Sequence, residues 1–450
     1  EASDPFESQG RQITARELLD QAGRNIRGDL SQHPEVRARL LEAIGRAYRR
    51  QNEFELSVSF LEDAERLRRQ LPDPDGSKRA NVLTELAMSL RDAGDLDGAQ
   101  TALREAVRIA ESNRSLESMT YAKLLMNLGR VELSAGNPAG AKPYFERSLA
   151  LQRELLGNTH PEVASVLLDL SSVHLWEDDI AGAERRVREA VRIYSETTPP
   201  LYPDRVTANV AYGEILVWQG RMDEATPLLE ASLEHQIRLY GPNSRQVAAS
   251  YALLARARNG QGAVEEAERF ARQALQIHIQ TLGEVHQETG YSRTALANLL
   301  LKRRKLSEAE DQLRRSLEVY ERTLPPDHPY VASSEHLLGE VLLRKRQLTD
   351  AEGYLSAAMN RWKRTNSPAW RAARSQSALG EVLHLQGRLA EAEQHLREGY
   401  KTLVADEGAD RDARIAARER VERFYIARGQ RERLEELLVA TRSAQPSRAR

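Results

Sequence analysis

Several residue types and patterns are missing from this sequence, and each absence excludes a class of structure. None of the 450 residues is cysteine. Disulfide scaffolds, cysteine-ligated zinc, iron–sulfur clusters and thiol nucleophiles are therefore excluded. Aromatic residues make up only 5% of the chain. No apolar run approaches the roughly 18 residues of a membrane-spanning helix, so we expect no membrane contact within this chain.

An excess of one charge is also missing. The 65 basic and 67 acidic residues leave a formal charge of −2. A dedicated nucleic-acid binder normally carries a basic excess, so we expect no nucleic-acid partner. The 40% hydrophobic content, together with 26 glycines, is that of a folded protein rather than a disordered one.

Motifs that carry catalysis or bind cofactors are missing as well. The sequence contains no HExxH, no GxSxG and no GxGxxG after a strand. Residues 136–142 resemble a phosphate loop but lack its GK[ST] ending. The ten histidines show no zinc-ligand spacing. We therefore predict no catalytic residue, no metal and no cofactor, and expect that the chain is not an enzyme.

What the sequence does contain is a repeat. A turn residue followed five positions later by a small residue recurs nine times. The small residues are Ser57, Ala99, Ala141, Ala183, Ala225, Ala267, Ala309, Ala351 and Ala392. Every step is 42 residues except the last, which is 41. Self-similarity at a fixed period indicates a repeat architecture.

Two more small residues keep the same register. Those twelve positions earlier are Gly45, Ala87, Gly129, Ser171, Gly213, Ala255, Ala297, Gly339 and Gly380. Those seven positions later are Ala64, Ala106, Ser148, Ala190, Ser232, Ala274, Ser316, Ala358 and Gly399. Helices approach closely where a side chain is missing, so these residues predict the crossing points of a helical hairpin. Each unit then reads as helix A, a tight turn, helix B and a junction, with helices at about 162–176 and 181–197 in the fourth unit.

The junctions carry a polar residue in one register, namely His160, Ser244, His286 and His328. A metal or acid–base site is one interpretation of the histidines. They are one full unit or more apart, so we favour residues that pack against or cap the next helix.

This pattern resembles tetratricopeptide repeats, in the 42-residue variety typical of kinesin light chains and many bacterial proteins. The small-residue register and the junction at residues 157–164 carry the resemblance. It implies an all-α fold, an α-solenoid whose stacked hairpins form a right-handed superhelix. We expect nine repeats over residues 35–405, an N-terminal tail and capping helix over 1–34, and a degenerate capping hairpin and tail over 406–450.

Residues 4–26 and 33–50 are also similar to the start of the repeat region in bacterial transmembrane Ser/Thr protein kinases. That similarity implies a sensing or scaffolding region outside the cytoplasmic membrane, in the periplasm; otherwise the chain would be cytoplasmic. The kinase motifs are missing, so kinase activity would lie in a domain outside this chain. Because the chain begins at Glu1 rather than Met, we expect it to be part of a longer protein.

The tetratricopeptide resemblance also implies where a ligand would bind, because the A helices of such arrays line a concave groove. Outward positions of helix A give twelve candidate groove residues: Arg46, Arg49, Arg91, Lys123, Met126, Arg130, Trp176, Glu214, Trp218, Arg256, Tyr291 and Asn298. The Asn ladder or carboxylate clamp of many such arrays is not present in the corresponding positions. The sequence therefore does not support a ligand bound by its terminal carboxylate.

Two groups of groove residues suggest the chemistry of a ligand. Trp176 and Trp218 lie one repeat apart, so their rings could together anchor an apolar side chain or an arginine; alternatively, each packs at the turn of its own unit. The arginines near the start of the groove could receive an acidic segment, or pair with nearby glutamates.

We predict a non-catalytic scaffold that holds a protein or peptide ligand, acidic and with an apolar or aromatic anchor. The alternatives are a self-association module that forms a homodimer and a structural scaffold without a peptide groove.

Overall fold

The fold consists of helices joined by short turns. This computed structural model describes residues 21, 26, 33–51, 53–112, 119–177, 179–365, 367–406 and 408–442, and within these ranges it contains no strand. The helices are α1 (Pro34–Arg50), α2 (Phe54–Arg68), α3 (Ser77–Ala93), α4 (Leu96–Ser112), α5 (Met119–Ser134), α6 (Pro138–Leu156), α7 (Pro161–Trp176), α8 (Ile180–Thr197), α9 (Pro203–Trp218), α10 (Met222–Tyr240), α11 (Arg245–Gly260), α12 (Val264–Leu282), α13 (Gln287–Lys302), α14 (Leu306–Thr323), α15 (Pro329–Arg344), α16 (Leu348–Arg364), α17 (Ala369–Leu385), α18 (Leu389–Ala405), α19 (Arg411–Ala427) and α20 (Arg431–Arg442).

In the register of the predicted repeats, odd-numbered helices up to α17 are A helices and even-numbered helices up to α18 are B helices. In α11–α18, for example, each A helix packs against the B helix that follows it, and each B helix packs against the next A helix. The predicted helices of the fourth repeat are confirmed to within one residue, as α7 and α8. The prediction of an all-α fold of stacked hairpins is therefore confirmed.

The chain divides into two compact units, Glu1–Ile215 and Leu216–Arg450, called here the N-terminal and C-terminal units. The predicted N-terminal capping helix falls almost entirely on residues outside the described ranges. Two of its residues, Gln21 and Ile26, are described, and Ile26 is buried in one cluster with Leu41 and Ile44. At the other end, α19 packs against α17 and α18.

The small residues of the repeat lie where the two helices of a hairpin are closest. At four glycines of the A helices, an added Cβ would overlap a side chain of the B helix. The pairs are Gly45 with Leu61 (2.6 Å), Gly129 with Phe145 (2.7 Å), Gly339 with Leu355 (2.5 Å) and Gly380 with Leu396 (2.7 Å). In each pair the B-helix residue lies sixteen positions after the glycine. The predicted crossing points are confirmed at these positions.

The junction residues cap the helices that follow them. The Nδ1 atoms of His160, His286 and His328 each accept a hydrogen bond from the backbone N–H two residues further on, at 3.2 Å. The Ser244 hydroxyl accepts one from the Val247 N–H at 3.4 Å. These contacts satisfy N–H groups that have no partner within the helix. The interpretation of these residues as helix caps is confirmed.

The A–B turns need one residue with left-handed backbone geometry. Glycine supplies it in five repeats, as Gly94, Gly136, Gly220, Gly262 and Gly387. In the seventh and eighth repeats the same position is Arg304 (φ 58°) and Arg346 (φ 63°). A side chain with a Cβ adopts this geometry at a cost of roughly 1–2 kcal/mol. These two turns are therefore strained relative to the others.

The close approach at Gly380 generates a stability prediction. In Gly380→Ala the new methyl group would lie 2.9 Å from the backbone nitrogen of Leu396, which cannot yield unless α18 moves. We expect urea denaturation to show a free energy of unfolding lower by about 1–2 kcal/mol.

The matched control is Gly353→Ala on α16, where an added Cβ would meet no atom within 4 Å. Relief of glycine's conformational entropy should stabilise that variant by about 0.5–1 kcal/mol. If both variants changed stability in the same direction, close packing at Gly380 would not be what determines its identity.

Candidate functional site

The basic groove residues of the N-terminal unit are mostly paired with carboxylates of the same chain. The pairs are Arg49 with Asp92 (2.9 Å), Arg91 with Asp92 (2.7 Å), Lys123 with Glu162 (2.8 Å) and Arg130 with Asp169 (2.9 Å). Three of the four join an A helix to the A helix of the next repeat. The alternative from the sequence, that these side chains pair with nearby acids, is thus confirmed for them. An acidic ligand here would have to displace carboxylates already in place.

The ion pair of Arg130 is partly enclosed between two A helices. Asp169 accepts hydrogen bonds from the Arg130 Nε at 3.1 and 2.9 Å. Burial raises the pKa of the Asp169 carboxyl, while the Arg130 guanidinium opposes that shift. The arginine therefore opposes protonation of a partly buried carboxylate, which is a structural role between neighbouring repeats.

Four further candidates of the N-terminal unit differ in accessibility. Arg46 is exposed on α1, and Glu214 is partly buried on α9. Met126 is 7% exposed and belongs to a core cluster with Phe145. Its side chain fills the interior, so it cannot line a groove, and the sequence-based assignment is corrected. Trp176 is 61% exposed at the end of α7.

The C-terminal unit contains an open pocket on its A helices. Its volume is about 250 Å³, and residues of α11, α13 and α15 surround it. Arg256, Asn259, Tyr291, Asn298 and Ser333 line it at the positions that the repeat register assigns to the groove. Alanines and leucines form most of the remaining surface. Three of the candidate residues, Arg256, Tyr291 and Asn298, therefore meet at one pocket.

Neighbouring side chains orient the polar groups of this pocket. The guanidinium carbon of Arg256 lies 4.6 Å from the ring centroid of Trp218, a cation–π contact. Trp218 itself is 56% exposed. The Oδ1 of Asn259 accepts a hydrogen bond from Lys302 Nζ at 3.2 Å, and Lys302 also pairs with Asp412 of α19 at 2.9 Å. That Trp176 and Trp218 together anchor one side chain of a ligand stays a prediction.

Comparison with known sequence families identifies the repeat. A family model described as tetratricopeptide repeat matches residues 36–112, 120–196, 204–279 and 330–403. A second model with the same description matches residues 289–330. The matches of the first model alone cover more than half of the chain. The chain belongs to the tetratricopeptide-repeat family.

Solved structures resemble this tetratricopeptide array at low sequence identity. A Rap protein complexed with competence and sporulation factor is 18% identical, with a TM-score of 0.52 over 79% of this chain and 99% of that one. A putative kinesin light chain with TPR-like repeats from Podosopora anserina is 23% identical, with a TM-score of 0.40 over 46% and 99%. BtubC (BKLC) from P. vanneervenii is 19% identical, with a TM-score of 0.43 over 51% and 94%. No curated protein matches the chain.

Two absences concern the described part of the array. Within the ranges given above, no three acidic or histidine side chains are grouped so that they could hold a metal ion. The described helices are also too short or too polar to cross a membrane.

At the C-terminal end of the array, one arginine bridges two repeats. Arg420 of α19 is 8% exposed and donates a hydrogen bond to Glu381 at 2.8 Å and another to Glu340. Burial opposes its charge, but the two carboxylates raise the pKa of Arg420. Glu340 and Glu381 each follow the first small residue of their repeat, at an outward position of helix A. The structure shows that these two side chains hold α19 through Arg420.

A second ionic cluster fixes the A–B turn of the seventh repeat. Glu268 of α12 accepts hydrogen bonds from Arg303 and Lys305, each at 2.7 Å, and from Arg272 at 2.8 Å. Burial alone would raise the pKa of Glu268, but these three cations lower it to about 2. Arg304, which lies between Arg303 and Lys305 in the chain, makes no hydrogen bond to Glu268. The arginines at these turns were not singled out from the sequence, although Arg304 and Arg346 stand where most repeats have glycine.

Buried His336 of α15 generates a prediction about pH. Its Nδ1 lies 3.0 Å from the hydroxyl of Ser375 on α17. Burial lowers the pKa of His336 well below its usual value, and the nearby charges of Arg374 and Arg420 act in the same direction. The folded state thus favours neutral imidazole, whereas the unfolded chain binds a proton near pH 6.5.

The contribution of His336 to the free energy of unfolding should therefore be constant above about pH 7 and fall as the pH drops below the unfolded pKa of about 6.5. Replacing His336 by Gln should make this fall shallower in urea titrations between about pH 7 and pH 5. His33 is exposed, so His33→Gln serves as the control and should retain the wild-type slope. Equal slopes in both variants would show that His336 does not contribute.

Proposed function

We propose that this tetratricopeptide array is a non-catalytic scaffold whose C-terminal unit binds a peptide segment of a partner protein. The observation that carries the proposal is the pocket on α11, α13 and α15. Three successive A helices contribute to it, and its polar residues share one face. The helical repeats also provide a rigid support for these side chains.

The pocket chemistry suits a peptide backbone. The side-chain amide of Asn298 can both donate and accept, which matches one peptide group of a ligand. Arg256 offers planar donors for a carbonyl or carboxylate, and Trp218 holds it in place. Tyr291 is 39% exposed and presents both a ring and a hydroxyl group.

The size of the pocket limits what enters it. At about 250 Å³ it lies below the range of roughly 300–1,000 Å³ usual for small-molecule sites. One large side chain and its adjoining backbone would fill it. This supports the proposal that an apolar or aromatic residue of the partner is the anchor, with Trp218 as a further exposed contact beside the pocket.

The fold comparison supports a binding role. The Rap protein that shares this fold is complexed with the competence and sporulation factor. An array of stacked hairpins can therefore act by holding another molecule. The carboxylate pairs of the N-terminal unit argue that an acidic ligand, if preferred, would bind elsewhere than beside Arg49, Arg91 or Arg130.

A peptide library tests the proposed pocket. We expect the wild-type chain to enrich a common motif from a random peptide library displayed on phage. A synthetic peptide with that motif should bind the Asn298→Ala variant about tenfold more weakly, because losing the hydrogen bonds to one peptide group costs about 1.4 kcal/mol. Isothermal titration calorimetry measures the affinities.

The control replaces an asparagine outside the pocket. Asn360 is exposed on helix B of the eighth repeat, and Asn360→Ala should bind the peptide as the wild type does. Thermal melting of both variants checks that they are folded. If no motif were enriched, or if Asn298→Ala retained full affinity, this pocket would not be the binding site.

Self-association is the second candidate function, and one observation favours it. The terminal hairpin exposes Ile415 (46%), Ile426 (54%) and Val439 (64%). Exposed apolar side chains at the end of an array can pair with those of a second copy. Light scattering on the whole chain distinguishes the cases. A dimer that Ile415→Glu dissociates would support self-association, and a monomer at all concentrations would exclude it.

The similarity of residues 4–26 and 33–50 to kinase repeat regions supports one finer proposal. The array would be the sensing or scaffolding region of a bacterial transmembrane Ser/Thr kinase and would lie in the periplasm. We then expect the gene to encode a kinase domain and one membrane helix upstream of Glu1. Sequencing the upstream region is the test, and its outcome does not alter the peptide-binding proposal.

A further inference from the structure

A second cavity lies at the A–B turns of the C-terminal unit, apart from the concave pocket. Its volume is about 930 Å³, and it is formed by the turns of the seventh and eighth repeats together with α15, α17 and α19. None of its lining residues belongs to the pocket that contains Asn298. The two sites can therefore be altered independently.

Three arginines at this cavity have no acidic partner in the part of the chain that the structure describes. They are Arg304, Arg344 and Arg346. Arg344 donates one hydrogen bond, at 3.4 Å, to the carbonyl of Leu301. All three are exposed, whereas Arg303 and Lys305, which donate to Glu268, are partly buried. Three guanidiniums without an acidic partner among the described residues therefore line one cavity.

The carboxylates of the cavity do not neutralise these arginines. Glu381 accepts hydrogen bonds from Arg420 and Arg423, each at 2.8 Å, and Glu340 accepts one from Arg420. Glu419 lies 3.8 Å from Arg423. The acidic side chains are thus engaged on the α19 side, and the turn side keeps an uncompensated positive charge.

Backbone strain is a second, independent observation at the same place. Arg304 and Arg346 are the non-glycine residues with positive φ among the described residues. Glycine would relieve the strain, as it does in five other repeats. Strain that persists in an unsuitable residue type points to a use for the side chain.

Apolar side chains complete the cavity. Leu385 is 38% exposed and Ile426 is 54% exposed, and both line it, along with the more buried Leu306 and Leu343. A ligand that matches the whole surface must therefore carry negative charge and an apolar group together.

We infer that this cavity binds an acidic peptide segment of a partner protein that also carries apolar side chains. Arg304 and Arg346 occupy equivalent turns of adjacent repeats, about 10 Å apart if the turns follow the usual helix spacing. An extended chain advances about 3.3 Å per residue and turns alternate side chains to one face, so carboxylates four residues apart lie on the same face, about 13 Å apart. That separation is within reach of both long arginine side chains. The apolar side chains of the segment would contact Leu385 and Ile426.

Other anionic ligands fit the cavity less well. A single phosphate group is too small to span two turns, and it would leave the apolar surface uncovered. A nucleic acid would need a longer basic surface than three arginines, and the chain as a whole has a formal charge of −2. The combination of charge and apolar surface favours a peptide.

The probe is a fluorescein-labelled peptide of glutamates spaced four residues apart with leucines between them. Fluorescence anisotropy at low salt measures its affinity for the whole chain. We expect the double variant Arg304→Gly/Arg346→Gly to bind at least tenfold more weakly than the wild type. We also expect it to melt at the same or a higher temperature, because glycine fits the left-handed turn.

The charge control removes two other exposed cations of the same unit, as Arg322→Gln/Lys401→Gln. It should bind the probe within twofold of the wild type, and so should Asn298→Ala, which tests the concave pocket instead. Equal affinity of the wild type and the glycine variant would overturn the inference. The inference would also be overturned if a probe with glutamine in place of glutamate bound equally well. Displacement of the probe by tripolyphosphate at a concentration close to the dissociation constant of the probe would overturn it too.

Discussion

Close approach between two helices is the constraint on which this fold depends. At Gly45, Gly129, Gly339 and Gly380 the facing side chain of helix B occupies the space that a Cβ would need. Repetition of this contact at one register lets each hairpin nest and bury its apolar face against the next. In such an array, stability comes from contacts between neighbours rather than from one central core.

The stacking of A helices also determines the functional surfaces. Equivalent positions of successive repeats lie next to one another and form a continuous surface. A substitution at one position therefore changes that surface locally. In the N-terminal unit these positions form ion pairs between repeats, as for Arg130 and Asp169. In the C-terminal unit, small residues leave a pocket beside Asn298, and unpaired arginines remain at two turns. The same scaffold thus carries a closed surface and two open ones.

Much of the fold could be predicted from the sequence, because period and register depend on residue type alone. The helices of the fourth repeat and the histidine caps follow from local spacing. Local spacing does not predict whether a side chain is free to bind a ligand. That depends on partners about one repeat away, such as Asp92 for Arg49 or Asp169 for Arg130. The assignment of Met126 to the groove is wrong for a related reason. Its position in the repeat is an outward one, but its side chain packs in the core cluster that contains Phe145. The arginines at the turns could have been recognised from the glycines of the other repeats.

A pair of internal deletions tests the central claim most directly. Removing residues 297–338 takes out one full period and joins Leu296 to Gly339 in register. Removing residues 297–336 instead is a deletion two residues shorter, and it rotates the part of the helix that follows by about 200° relative to the part before it. Thermal melts followed by circular dichroism compare the two. The account predicts that the full-period deletion retains its helix content per residue and a cooperative transition, and that the shorter deletion loses both. Identical melts would contradict it.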